Sequence, residues 1–258
     1  MSGSTSSNGL RLAHYWWPVV MGWSIAEVVG RATRSPVSSA GMSMLLCAVL
    51  AAYSLDRLVD TGPEPRPIWL RLVLLGGVLV GTVGGLRLLP ALPPAKIGML
   101  IVLGAVALVY PLLKRWPWVK AILVPAVWTW TAVVLPIGDG ATSIGHLFLA
   151  PVAAPLFALL ASGCLLCDLK DVDADARAGV RSVPVALGVR AALLVAVVLA
   201  LVGGSLALAE HRPGLLAAAI GLIALAPFRA LLATDVVGPL VVDMILTVPG
   251  VLVAVRLV

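Results

Sequence analysis

Apolar runs of about twenty residues succeed one another along this chain, each closed by charge, proline or glycine, and that succession leaves few folds open. A bilayer's hydrocarbon layer, about 30 Å thick, takes roughly 20 residues of α-helix at 1.5 Å each. Nine stretches qualify, at approximately 11–30, 36–56, 68–89, 94–113, 119–137, 146–167, 186–209, 213–231 and 238–256. Lipid offers backbone groups no water to bond, so such runs cross as helices that satisfy their own N–H and C=O groups. The expectation is an all-α integral membrane protein: one nine-transmembrane-helix bundle over residues 10–258, behind a small polar tail, "MSGSTSSNG", at 1–9 that reads as disordered. With 61% hydrophobic and 12% charged residues, the lipid bilayer is the first partner implied.

Eighteen Lys and Arg against twelve acids would suggest nucleic acid in a soluble protein. Membrane proteins instead collect basic residues in cytoplasmic loops, so no nucleic-acid partner is implied. Placing the N-terminus in the cytoplasm leaves Arg31, Arg34, Arg87, Lys96, Arg212 and Arg256 outside, and the other twelve inside. That bias favours an N-in topology in the cell (inner) membrane, with the loops after runs two, four and six on the cytoplasmic face. Those three loops carry nearly all the ionisable chemistry. Cys164 and Cys167 form a CxxC, but no second Cys or His cluster supplies further metal ligands.

The loop after run six reads "CLLCDLKDVDADARAGVRSVPVALG", residues 164–188. At 100° per residue, Asp171 and Asp175 lie about 60° and 20° to either side of Asp168, while Asp173 points about 140° away. Three carboxylates on one face repel each other, and near a bilayer edge they call for a compensating cation. Hard oxygen donors with room for water suit magnesium held jointly with substrate phosphates. The plainer alternative is a solvated acidic loop balanced by Lys170, Arg177 and Arg181. A second acidic pair, Asp56 and Asp60 in "AAYSLDRLVD", sits one helical turn apart at the end of run two, with Arg57 as its ordinary counter-charge. Between them, "YPLLKRWPWVK" offers Tyr110, Lys114, Arg115 and Lys120 as donors for phosphate oxygens, or as a positive loop with interfacial Trp116 and Trp118.

In this order the three pieces resemble the UbiA superfamily of intramembrane aromatic prenyltransferases and their terpene-cyclising relatives, over residues of about 40–190. Asp168, Asp171, Asp175, Gly179, Ser182 and Pro184 fall on the family pattern DxxDxxxDxxxGxxTxP, with Ser for Thr, and "VALG" follows. Tyr110, Lys114 and Arg115 match the family's loop after its fourth helix. The first motif, usually NDxxDxxxD, departs: Ala52 and Tyr53 stand for the Asn and first Asp, while Asp56 and Asp60 remain.

The resemblance implies a UbiA-like bundle with an apolar cavity open toward the cytoplasmic face. Mg2+ would be held by Asp56, Asp60, Asp168, Asp171 and Asp175, the catalytic carboxylates. Tyr110, Lys114, Arg115, Lys120 and Arg181 would grip the diphosphate of an isoprenyl diphosphate. Its departure would leave an allylic carbocation for a small aromatic or lipophilic acceptor, whose identity the sequence does not disclose. Tyr53, Trp128 and Trp130 are candidates to line the cavity with their ring faces, and Asp243, an acid inside run nine, to face it. His14, His146 and His211 are dispersed and read as interfacial. Two other readings stand beside the transferase: a terpene cyclase acting on the diphosphate alone, suggested by the Ala52 and Tyr53 departure, and a non-enzymatic lipid-binding or transport protein, disfavoured because charge sits in loops rather than mid-bilayer.

Overall fold

The computed structural model describes residues 4–59, 67–113, 116, 118–137 and 150–255. The long helices are α1 (Ser4–Thr33), α2 (Ser39–Val59), α3 (Ile68–Leu88), α4 (Pro94–Leu113), α5 (Val119–Val134) and α6 (Ala153–Cys167), then α9 (Val189–Ala209), α10 (Pro213–Leu225) and α12 (Val237–Ala254). Three short helices interrupt them: α7 (Val172–Arg177), α8 (Val183–Leu187) and α11 (Arg229–Leu232). α1 begins at Ser4, so residues 4–9, expected as a tail, are the first turns of a helix.

Among the described residues, five helices are long and apolar enough to cross a membrane: α2, α3, α6 with its continuation to Arg177, α9 and α12. The stretch Pro94–Tyr110 of α4, and the helices α5 and α10, are apolar but shorter. α10 stops at Leu225 because Pro227 disfavours helical geometry in the residue before it and offers no N–H. α1 is long but carries Arg11, Glu27 and Arg31, and it is not among the five.

The bundle is packed in the manner of lipid-embedded helices. On α9 the buried stripe is Ala192, Ala196, Ala200, Gly203, Gly204 and Ala207, whereas Leu194, Val198, Leu201 and Leu208 face outward. Small residues let backbones approach where no hydrophobic drive separates protein from lipid, and large ones meet the acyl chains. α9 packs on α6 and α10, α1 on α12 and α2, and α2 on α3. At the α2–α3 crossing a Cβ on Gly81 would stand 2.6 Å from the Cys47 carbonyl oxygen, so the contact requires glycine. The α1–α12 seam is polar: Ser24 Oγ donates to the Thr247 carbonyl (2.6 Å), the Gly250 N–H donates to Ser24 Oγ (2.9 Å), and Trp17 Nε1 donates to Thr247 Oγ1 (3.0 Å).

The two ends differ. At one, Lys96, placed by the charge count among outer-loop residues, is 5% exposed and donates to the carbonyls of Leu135 (3.2 Å) and Ile137 at the end of α5. It satisfies two carbonyls that a helix terminus leaves unpaired. At the other end α6, in which ten of fifteen residues are buried, delivers the acidic segment into the bundle.

Candidate functional site

The apolar run of α6 ends at Cys167, and the chain tightens at once into a 3₁₀ turn, Asp168–Asp171, before α7 resumes α-geometry. The sequence suggested a continuous α-helix here. At three residues per turn the side chains of Asp168 and Asp171 are eclipsed, so the tightening brings these two acids onto one side. Asp168 is 2% exposed, and its Oδ1 accepts from Lys120 Nζ at 2.6 Å. The same ammonium stands 3.7 Å from Asp171 Oδ2, while Lys170 Nζ donates to Asp171 Oδ1 at 2.6 Å. Lys120 comes from the first turn of α5, whose preceding residue, Trp118, adopts a left-handed φ of 70°. The half-buried Lys120 ammonium, with Lys170 on Asp171, thus answers the repulsion of two stacked carboxylates.

Asp173 is exposed, and Asp175 is half-buried. α7 is closed by Gly179 at φ 70°, with the Val180 N–H returning to the Asp175 carbonyl at 2.9 Å. This is a Schellman closure, and its left-handed residue is why the pattern calls for glycine there. The returning chain buries Ser182, Val183 and Pro184.

Other candidates gather around the same end. Tyr110, half-buried near the end of α4, lies within electrostatic reach of Lys120, Cys164, Asp168 and Asp56. Asp56 is exposed at the end of α2, and the guanidinium of its neighbour Arg57 lies 5.9 Å from the centre of the Tyr15 ring. Trp128 Nε1 donates to Tyr53 Oη at 3.2 Å, the rings meeting edge-on at 5.9 Å. Asp243 is in reach of Tyr53 and of Arg57. Trp130 stands apart, lining a largely apolar groove between α5 and α6 with Thr129 and Phe157. Arg181 is exposed. Asp60, Lys114 and Arg115 lie outside the described residues, as does His146.

The acidic turn has donors suited to a cation. Among the described residues, Asp168 Oδ2 and Asp175 Oδ2 are buried without a hydrogen-bond partner. Hard carboxylate oxygens of this kind suit magnesium. Three acidic, Cys or His side chains do not converge as a ready metal cage among those residues, and Lys120 provides the countercharge to Asp168 and Asp171. His14, read from sequence as interfacial, is buried at 4% exposure, within reach of Arg57, Lys170 and Asp171. Its position close to the polar tail hid this, because burial between helices is not a local property.

A helical bundle of membrane-spanning character that gathers stacked acids, a half-buried lysine and aromatic donors at one end defines a class: intramembrane helical proteins with a charged site at one end of the bundle. The chain belongs to the UbiA prenyltransferase family, whose model matches residues 66–236. That match begins downstream of Asp56 and Asp60, where the first motif departs from the family pattern. The fold is similar to that of the apo structure of a UbiA homolog from Aeropyrum pernix K1, with a TM-score of 0.72 and 18% identity over 93% of this chain and 98% of that one. No curated protein matches the chain.

Proposed function

We propose that this protein is a magnesium-dependent prenyltransferase, moving an isoprenyl group from an isoprenyl diphosphate to a small aromatic or lipophilic acceptor at the cytoplasmic face of the membrane. The observation that carries the reading is the eclipsed Asp168–Asp171 pair around Lys120, with unpartnered carboxylate oxygens buried beside it. Asp168, Asp171 and Asp175, with Asp56 and Asp60 from the first motif, would hold the metal. Magnesium, when bound, neutralises the diphosphate and eases its departure as a leaving group. Lys120 then has a second anion to serve: its ammonium, with Lys114, Arg115 and Arg181, grips phosphate oxygens. The Tyr110 phenol, within reach of Lys120, adds a neutral donor beside it. Breaking the C–O bond sends its electron pair to the diphosphate and leaves an allylic carbocation in the apolar bundle, where water is scarce. The acceptor captures that cation, so no covalent enzyme intermediate is required.

Incubating membranes with labelled isoprenyl diphosphates and candidate acceptors, with and without chelator, tests the reading. Diphosphate release that survives in Asp168→Ala or Asp171→Ala would remove these residues from the site. The hydrogen-bonded Tyr53–Trp128 pair favours a second reading, a terpene cyclase, since ring faces in a dry interior stabilise migrating positive charge. A cyclised product formed from the diphosphate without an acceptor would establish it in place of the transferase.

A further inference from the structure

Among the described residues, His14 is a buried titratable group that the mechanism above leaves unused. Its side chain is 4% exposed, and among the described residues neither ring nitrogen has a hydrogen-bond partner. Burying an imidazole with nothing to bond is costly, so an unpartnered ring in a packed bundle calls for a partner that the protein's own side chains do not supply. The charges that reach the ring are Arg57 of α2 and Lys170 and Asp171 of the acidic turn, and its neighbour Tyr15 stacks obliquely at 5.6 Å. Those that reach Tyr110 are Lys120, Asp168 and Asp56, with the Cys164 thiol. Apart from Asp171, which Lys120 also approaches, the two sets are distinct. The acidic turn therefore has two polar flanks, one with Tyr110 of α4, Lys120 of α5 and Asp56 of α2, the other with His14 and Tyr15 of α1 and Arg57 of α2. Of the donors proposed for the diphosphate, Lys120 and Tyr110 are on the first.

We propose that the second flank seats the acceptor, a hydroxyl-bearing molecule whose O–H donates to a free His14 nitrogen, and that this nitrogen takes the proton released on prenylation. The inference rests on the prenyltransferase reading. The isoprenyl C–O bond breaks with its electron pair to the diphosphate, a bond forms from the isoprenyl carbon to the acceptor, and the displaced acceptor proton moves to the imidazole and then to bulk water.

The chain has three histidines, so protein carrying ¹³C-labelled imidazoles in nanodiscs gives three signals, and His14→Asn identifies one of them. Magnesium and inorganic diphosphate are added first, then 2-naphthol or n-decanol as the hydroxylated probe. The His14 signal should shift saturably with at least one of the two alcohols while those of His146 and His211 stay in place. A His14 signal unmoved through both titrations overturns the proposal. In turnover with a hydroxyaromatic acceptor, His14→Phe should lower the prenylated product formed per diphosphate released by at least about 100-fold. A product-to-diphosphate ratio equal to the parent's also overturns it. Absence of diphosphate release by the parent protein instead sinks the prenyltransferase reading, and the titration still decides the role of His14.

Discussion

Replacing Lys120 by methionine strips Asp168 of its only ion-pair partner among the described residues, while Asp171 keeps Lys170. At 2.6 Å and an effective dielectric near 20, the raw attraction between Lys120 and Asp168 is about 6 kcal/mol, most of it offset by the desolvation of both groups. What the substitution exposes is the other side of that balance: a carboxylate 2% exposed, with a second carboxylate eclipsed above it and no cation between. Breaking a buried pair from one side costs about 3–5 kcal/mol. Lys120 is itself 26% exposed, which favours the lower end, about 3 kcal/mol. In a chain of 258 residues that corresponds to a fall in Tm of about 6–12 °C. Thermal unfolding in detergent, followed by tryptophan fluorescence, reads it directly. Adding Asp168→Asn removes the orphaned charge, and the double variant should return to within about 1 kcal/mol of the parent, since a matched neutral replacement of a buried pair is often neutral. A Lys120→Met protein that melts with the parent, or a double variant no better than the single, would refute this account of the pair.

Lys96→Met should destabilise the opposite end by about 2 kcal/mol or more, because two carbonyls at the end of α5 lose a charged donor; hydrogen exchange at that terminus should rise with the drop in Tm. Gly179→Ala should cost about 1–2 kcal/mol by placing a Cβ at φ 70°, and should reduce diphosphate turnover by displacing Asp175 and Ser182, measured as melting and release rate on the same preparation. Tyr53→Phe should change stability by only about 1 kcal/mol, since it deletes one Trp128 hydrogen bond and keeps the ring, while shifting product distribution if the pair borders the cation; chromatographic product analysis shows which.

The membrane character and the acidic row were legible because each is local. A run of twenty apolar residues, or carboxylates at i, i+3 and i+7, is read along the chain without knowing what lies beside it. Asp173 could be set apart from its neighbours by helical angle alone, and it is the exposed one. The tightening at Asp168–Asp171 was not legible, since i,i+3 and i,i+4 bonding differ by little and the choice falls to the packing around α6. Nor was the length of each run as a helix, because Pro227 trims α10 while polar residues moderate α1.

The helical membrane class, the family and the set of acids available to the site were all legible along the chain, because they depend on residue type and spacing. Which charge answers which was settled by how the helices pack. That packing took Lys120 out of a basic loop and set it against Asp168, turned Lys96 from an outer-loop charge into a buried clamp on α5, and buried His14 beside the acidic turn. The physical reason is common to all three. A charge's cost in a low-dielectric interior is set by the nearest partner in space, and partners on different helices are chosen by how small residues let those helices meet.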